Sequence, residues 1–367
     1  MGSDEHEQWF TDWKPSFLES LIAAQKENLH SAALAWLLQA EELPLRGRIK
    51  LLEALGAPCS SATESISTTT EWDDIDVFVE VEAPGRTSGV IAIENKLKAS
   101  EHDAQLARYD ELLVGRDVLA KIFLTLSGDP PESGKDWHAA SYADLLGGLE
   151  QLKAACPNHR YLSDYFDVVL RAVAATRLIS SVEAYSAFAL KEDDVAVSVS
   201  AGFVRYAEHC GWGTTLGRVW MAAVGEHALR GMTPGCWHRR TSESRGDALL
   251  NLERIVKRRG VPVRVGLELQ RFCLKAFASP SPYRPGATVR QLSAVTDVME
   301  EIRTALSLGA GAKVSVPRSR GFRSFSLPTR IEVGERLQVG RWAEAITGPL
   351  CALESLPEGT IEGAGEA

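Results

Sequence analysis

Apolar side chains recur at three-to-four spacing along residues 16–56: Phe17, Leu18, Leu21 and Ile22, then Leu34, Leu37 and Leu38, then Ile49, Leu51, Leu52 and Leu55. That period gathers them on one helical face, so the stretch reads as helical, and Gly56 and Pro58 end it. Residues 60–70 are rich in Ser and Thr, yet their β-branched content and their place ahead of a clear strand predict an edge strand rather than a linker. Residues 75–81 read as a strand, 83–88 as a turn and 89–97 as a returning strand, which together make a hairpin. Ser100 offers an N-cap, with Glu101 and Asp103 in the first turn, for a helix to about residue 113 that puts Leu106, Tyr109 and Leu113 on one face. Residues 119–126 are apolar enough for a buried strand, and 141–152 predict a further helix. The order is helix, three strands, helix, strand, helix, as in an α/β protein with a central sheet.

Past residue 180 the pattern changes without an obvious linker. Helices are predicted at 195–209, 219–229 and 292–306, and strands at 248–254 and 262–277. These give a second, α+β domain over 179–355, after a first domain over 1–178. Residues 356–367, small and acidic, read as a disordered tail. No repeat of solenoid period is present.

At 367 residues and 45 % hydrophobic content the chain has enough apolar material for proper cores without metals or disulfides to support them. No run of about 18 uncharged apolar residues occurs, so no membrane span or membrane partner is expected. The charged first fourteen residues, with Trp9, Phe10 and Trp13, lack a signal core, and a cytoplasmic protein is expected. The six cysteines lie far apart with no CxxC pair, which predicts buried free thiols rather than a disulfide framework or zinc site. Net charge is −9, unevenly spread: residues 1–180 hold 16 Lys+Arg against 29 Asp+Glu, and 181–367 hold 24 against 20. A carboxylate-rich half beside a mildly basic one suits a metal-dependent enzyme acting on a polyanion, although ordinary surface variation gives the same numbers.

The chemistry concentrates on the returning strand of the hairpin. Alternation in Ile91-Ala92-Ile93-Glu94-Asn95-Lys96-Leu97 sends Glu94 and Lys96 to one face and Ile91, Ile93 and Asn95 to the other. The partner strand brings Asp76 alongside, or Asp74, which shares its face. Two adjacent carboxylates repel and favour a hard divalent cation with oxygen ligands, to which the Asn95 carbonyl can add, and Mg²⁺ is naturally completed by water and substrate phosphate. Lys96 then orients or deprotonates a water and offsets negative charge. Taken alone, a Glu and a Lys two apart are more often a surface ion pair of little worth.

Asp76, then Glu94-Asn95-Lys96 after a hairpin, then Gln105 and Tyr109 in Gln-Leu-Ala-Arg-Tyr, resemble the PD-(D/E)XK nuclease superfamily, and the run is similar to a bacterial branch with an IENK…QLxRY signature. Glu27-Asn28-Leu29-His30-Ser31, Glu64 and Trp137…Ser141-Tyr142 agree with it, over roughly residues 20–170. The resemblance implies a restriction-endonuclease-like core, a mixed sheet flanked by helices. It implies that Asp76 and Glu94 bind Mg²⁺ or Mn²⁺, that Lys96 handles the water, and that Gln105 and Tyr109 support the site or touch phosphate. Glu64 and Glu27 become accessory carboxylates, Glu64 as a further metal ligand. The implied activity is hydrolysis of nucleic acid, DNA ahead of RNA, in restriction or anti-phage defence, with a homodimer as a form common in this fold. The alternative is a nuclease-fold protein that binds nucleic acid or a protein without cutting.

Two further features are weaker. Arg254, Lys257, Arg258 and Arg259, and Arg318, Arg320 and Arg323 interleaved with Phe322 and Phe325, suit phosphates and base stacking, but equally a solvated charged face beside core aromatics. The segment 309–313 is glycine-rich but lacks Walker spacing, so ATP use is not expected, and His30 and His102 carry no assigned role.

Overall fold

A computed structural model of the chain describes residues 8–22, 27–85, 88–97, 105–131, 133–134, 136–180, 201–244, 247–281, 287–309, 312–315, 321–329, 331 and 338–357. The helical period over 16–56 resolves into α1 (Phe17–Ile22), α2 (Glu27–Gln39) and α3 (Leu45–Ala54). Then come β1 (Ser65–Trp72), β2 (Ile75–Glu82), β3 (Gly89–Lys96), α4 (Gln105–Leu112), β4 (Val118–Thr125), β5 (His138–Ser141), α5 (Tyr142–Ala155), α6 (Arg160–Ser180) and α7 (Ala201–Cys210).

The five strands form one sheet in the order β1-β2-β3-β4-β5. β1 to β3 run antiparallel, whereas β4 pairs parallel to β3 and β5 parallel to β4. The sheet is therefore mixed, with helices on its faces, as the sequence leads one to expect. β3 lies at its centre and is buried along its length apart from Lys96. A strand covered on both faces reads as a continuous apolar run, which explains Gly89 to Ile93; Glu94 and Asn95 interrupt that run although both are buried. β1 is an edge strand, but it runs to Trp72, two residues beyond the predicted end. The short β5 and the long α6 were not among the expected elements, although Leu162, Tyr165, Val169 and Ala172 of α6 recur at helical spacing and are buried. Ser141 is the N-cap of α5 and forms a capping box with Asp144.

Two compact units are present, one drawn from Met1–Leu178 with Val199–Thr215, the other from Ile179–Ser198 with Leu216–Ala367. The expected boundary after residue 178 therefore has a return across it: Phe203 and Tyr206 of α7 pack on Phe10 at ring centroids 5.0 and 5.1 Å. Gly202 permits this approach, because a Cβ there would collide with the Phe10 carbonyl.

The second unit holds α8 (Gly213–Leu229), β6 (His238–Ser244), β7 (Asp247–Arg258), β8 (Val261–Gln270), β9 (Cys273–Pro280), α9 (Val289–Ala305), β10 (Val314–Ser315), β11 (Arg323–Leu327) and α10 (Val339–Glu354). Its sheet is antiparallel in the order β10-β11-β9-β8-β7-β6. The predicted strand 262–277 is in fact two strands, broken at Arg271 and Phe272, both with positive φ. Alternation along β7 buries Ala248, Leu250, Leu252, Arg254, Val256 and Arg258 on one face.

That alternation divides the basic run, with Lys257 and Arg259 exposed and Arg254 and Arg258 buried. Arg254 points inward and donates to the Glu354 carbonyl at 2.8 Å, Arg258 Nε donates to Glu301 at 2.7 Å, and Arg259 pairs with Asp297 at 2.7 Å. Phe325 is buried in the core, and half-buried Phe322 stacks on Phe277 at 5.2 Å. Arg318, Arg320, His102 and part of 309–313 lie outside the described residues, as do 358–367 of the predicted tail, while Leu356 is buried. None of the six cysteines forms a disulfide, but only Cys210 is buried, and Cys273 and Cys351 are exposed, against the expectation of buried thiols. Among the described residues no helix is long and apolar enough to cross a membrane.

Candidate active site

Val77 stands opposite Ile93 in the β2–β3 pairing, so the next pair outward is Asp76 with Glu94. In the β1–β2 register Thr70 faces Val77 and Trp72 faces Ile75, which sets Glu71 opposite Asp76 on its other side. Three carboxylates thus form a row across three strands. Ala92, on the same β3 face as Glu94 and Lys96, packs with Phe78, Leu106, Tyr109 and Phe123, so this is the face that α4 covers. Asn95 points the other way: its amide donates to Ser31 Oγ of α2 at 3.2 Å, and the Tyr142 hydroxyl of α5 donates to its Oδ1 at 3.2 Å. His30 packs nearby against Tyr142 at 5.7 Å, an interior residue with no part in the acidic face.

Glu94 is the unusual member. It is 0 % exposed, and its charged partner is the Lys96 ammonium on the same strand face. Lys96 Nζ stands 2.6 Å from Oε1, an ion pair that offsets one negative charge beside a second carboxylate, Asp76. A buried carboxylate left this way is costly unless something else satisfies it. Burial, reinforced by Asp76, pushes the Glu94 carboxyl up to about 7 against the pull of Lys96. Asp76 is raised too, first by burial and further by Glu27 and Glu71, although the Asn95 amide and Lys96 oppose this. For Lys96 burial pulls downward, but Glu94, Asp76 and Glu27 outweigh it, and its pKa rises, so it is an ammonium.

The backbone fixes Asp76 directly, since the Asn95 N–H donates to Asp76 Oδ2 at 2.8 Å. A strand residue turns its N–H and C=O to the same neighbour, so the Asn95 carbonyl also faces the β2 side. Gln105 and Tyr109, one helical turn apart on α4, are joined: the Gln105 amide donates to the Tyr109 hydroxyl, which donates to the Asp74 carbonyl at 2.5 Å. Burial, with Glu94 next, pushes the Tyr109 phenol up to about 12. Asp74 itself is exposed in the β1–β2 turn and spends its carbonyl on Tyr109, whereas Asp76 faces Glu94.

Asp76, Glu94, Lys96, Gln105 and Tyr109 come together, and the main chain of Asn95 joins them. Glu64 does not. Its N–H donates to the Glu82 carbonyl at 2.8 Å, at the far end of β2 and roughly 20 Å from Asp76 at about 3.3 Å per residue. Glu71 holds the place by Asp76 that sequence reading offered to Glu64, and the Asn28 amide donates to it. The signal for Glu71 was the Asp73-Asp74 pair, which as a two-residue loop fixes the register of β1 on β2. Glu27, at the start of α2, acts on Asp76 and Lys96 through its charge. Among the described residues no three carboxylate, His or Cys groups converge on one point.

A mixed sheet flanked by helices, with an Asp, a buried Glu and a Lys meeting on its two central hairpin strands, defines a nuclease-type α/β core. Residues 16–189 match the family model of the PD-(D/E)XK nuclease superfamily, and this part of the chain belongs to that superfamily. No curated protein and no solved structure matches the chain.

Proposed function

We propose that the chain is a metal-dependent nuclease whose Asp76, Glu94 and Lys96 hydrolyse phosphodiester bonds, in DNA ahead of RNA. The observation that carries this reading is Glu94, a fully buried carboxylate facing Asp76 across the strand pair, with the Lys96 ammonium 2.6 Å away. Hard oxygen donors fit Mg²⁺ or Mn²⁺, and a like-charged row needs a cation to relieve it. Asp76 and Glu94 would hold that ion with the Asn95 main-chain carbonyl, leaving water and substrate phosphate to fill the remaining positions. When bound, the ion supplies Lewis acidity and a lowered pKa for coordinated water. Lys96, as an ammonium, donates to the attacking water or a phosphate oxygen and orients it rather than removing its proton. The negative field of Glu27 and Glu71 favours a cation at the same place. A role in restriction or anti-phage defence follows from superfamily likeness alone.

The test is incubation of plasmid, single-stranded DNA and RNA with Mg²⁺, Mn²⁺ or EDTA, followed by gel electrophoresis. Metal-dependent products, lost in Glu94→Ala and Lys96→Ala variants that still fold, are expected. Binding without products would favour a nuclease-fold protein that no longer cuts, and equal cleavage by both variants would sink the assignment.

A further inference from the structure

The turn between β1 and β2 adopts a left-handed backbone that glycine would take at least cost. Asp73 (φ +46) and Asp74 (φ +70) both lie in the left-handed region, and Glu71 (φ +54) joins them. A two-residue hairpin loop with both φ positive is a type I′ turn, for which Asn-Gly is the preferred pair. Asp is accepted at the first of these positions, but Asp74 stands where glycine is preferred, and the strain left there persists only where the surroundings support it. Asp74 lies two residues before Asp76.

The support comes from α4. Tyr109 is 1 % exposed and its hydroxyl hydrogen is committed to the Asp74 carbonyl at 2.5 Å, while the Gln105 amide donates to the same hydroxyl oxygen. On the other side of the turn Trp72 stacks on Phe78 at 4.2 Å, a contact that precedes the strained pair. Tyr109 thus has no spare proton for a phosphate.

We propose that Tyr109 is a positioning residue: by holding the Asp74 carbonyl it clamps the strained β1–β2 turn and thereby sets Asp76 opposite Glu94, rather than contacting nucleic acid. This rests on the metal-centre reading above. Groups that orient a metal ligand commonly change metal affinity or activity about 10- to 100-fold when removed.

The test pairs Tyr109→Phe with a relaxed turn, Asp73→Asn combined with Asp74→Gly, alone and together. Mn²⁺ binding is read by calorimetry without nucleic acid, unfolding temperature is read in EDTA, and kcat and KM are read on plasmid. Tyr109→Phe is expected to weaken Mn²⁺ binding about tenfold or more and to lower kcat, with the plasmid KM unchanged. The relaxed turn is expected to recover most of that loss in the Tyr109→Phe background and to raise the metal-free unfolding temperature more there than in the unmodified protein. A raised plasmid KM with unchanged Mn²⁺ binding, or no rescue by the turn, overturns the clamp. Should Tyr109→Phe fail to fold, Gln105→Met, at a partly exposed position, loosens the same hydroxyl and is expected to give a smaller loss with the same rescue; absence of both overturns it. If the unmodified protein binds no Mn²⁺, the metal-centre reading falls and the clamp with it, whereas equal Mn²⁺ binding by both proteins refutes the clamp alone.

Discussion

Without metal, the stability of the N-terminal unit is expected to fall as pH rises from about 5 to about 7, and Glu94 is the main cause. Its folded-state carboxyl titrates at about 7 against 4.5 in the unfolded chain. A raised carboxyl binds its proton more tightly when folded, so the stability it contributes is fully present below 4.5 and is lost as pH climbs through 7. At about 1.4 kcal/mol per pKa unit the decline is on the order of 3 kcal/mol. Asp76, also raised, acts in the same direction. Lys96 is raised and stays charged throughout this window, so it contributes no slope. Urea unfolding in EDTA at pH 5, 6, 7 and 8 measures the decline, with a parallel series in Mn²⁺ and a third on Glu94→Gln. Mn²⁺ should restore stability most at pH 8, and Glu94→Gln should flatten most of the slope while removing the Mn²⁺ response. A flat or rising profile in the unmodified protein, or an undiminished slope in Glu94→Gln, would show that the burial argument is wrong.

Glu64→Gln is expected to leave cleavage and Mn²⁺ binding within about twofold, because the residue sits at the far end of β2; a tenfold loss in either assay would contradict its placement. Arg258→Ala should cost about 1 to 2 kcal/mol in urea unfolding, reduced from a fully buried pair because Glu301 is partly exposed, without changing DNA retention in a gel-shift assay. Weakened DNA binding by this variant at equal stability would restore a nucleic-acid role for that cluster.

Period-two alternation carried the site because both hairpin strands obey it: Ala92, Glu94 and Lys96 share a face whatever the rest of the chain does. The helical stripe over 16–56 was equally plain, since α2 turns an apolar side to the sheet and α3 turns one to α5. What local pattern does not encode is register between strands, and that is why Glu71 passed unnoticed while Glu64 was favoured. The length of the β1–β2 loop decides which residue faces Asp76, and Asp73-Asp74 lacks the Asn-Gly signature that would announce a two-residue turn. The roles of Arg254 and Arg258 stayed open in the sequence for a related reason. A run of cations in sequence becomes a patch in space only if the strand turns them outward, and in β7 Arg254 and Arg258 turn inward while Lys257 turns out.

Asn95 meets neither solvent nor any proposed substrate atom through its side chain, yet its amide group joins a helix on each side of one face while its main chain holds Asp76 on the other. Damage at Ser31 or Tyr142, well behind the acidic row, therefore reaches Asp76 through a single residue. A map of inactivating substitutions in this protein will be wider than its map of chemistry, and the difference between the two will trace the buried route that runs through Asn95.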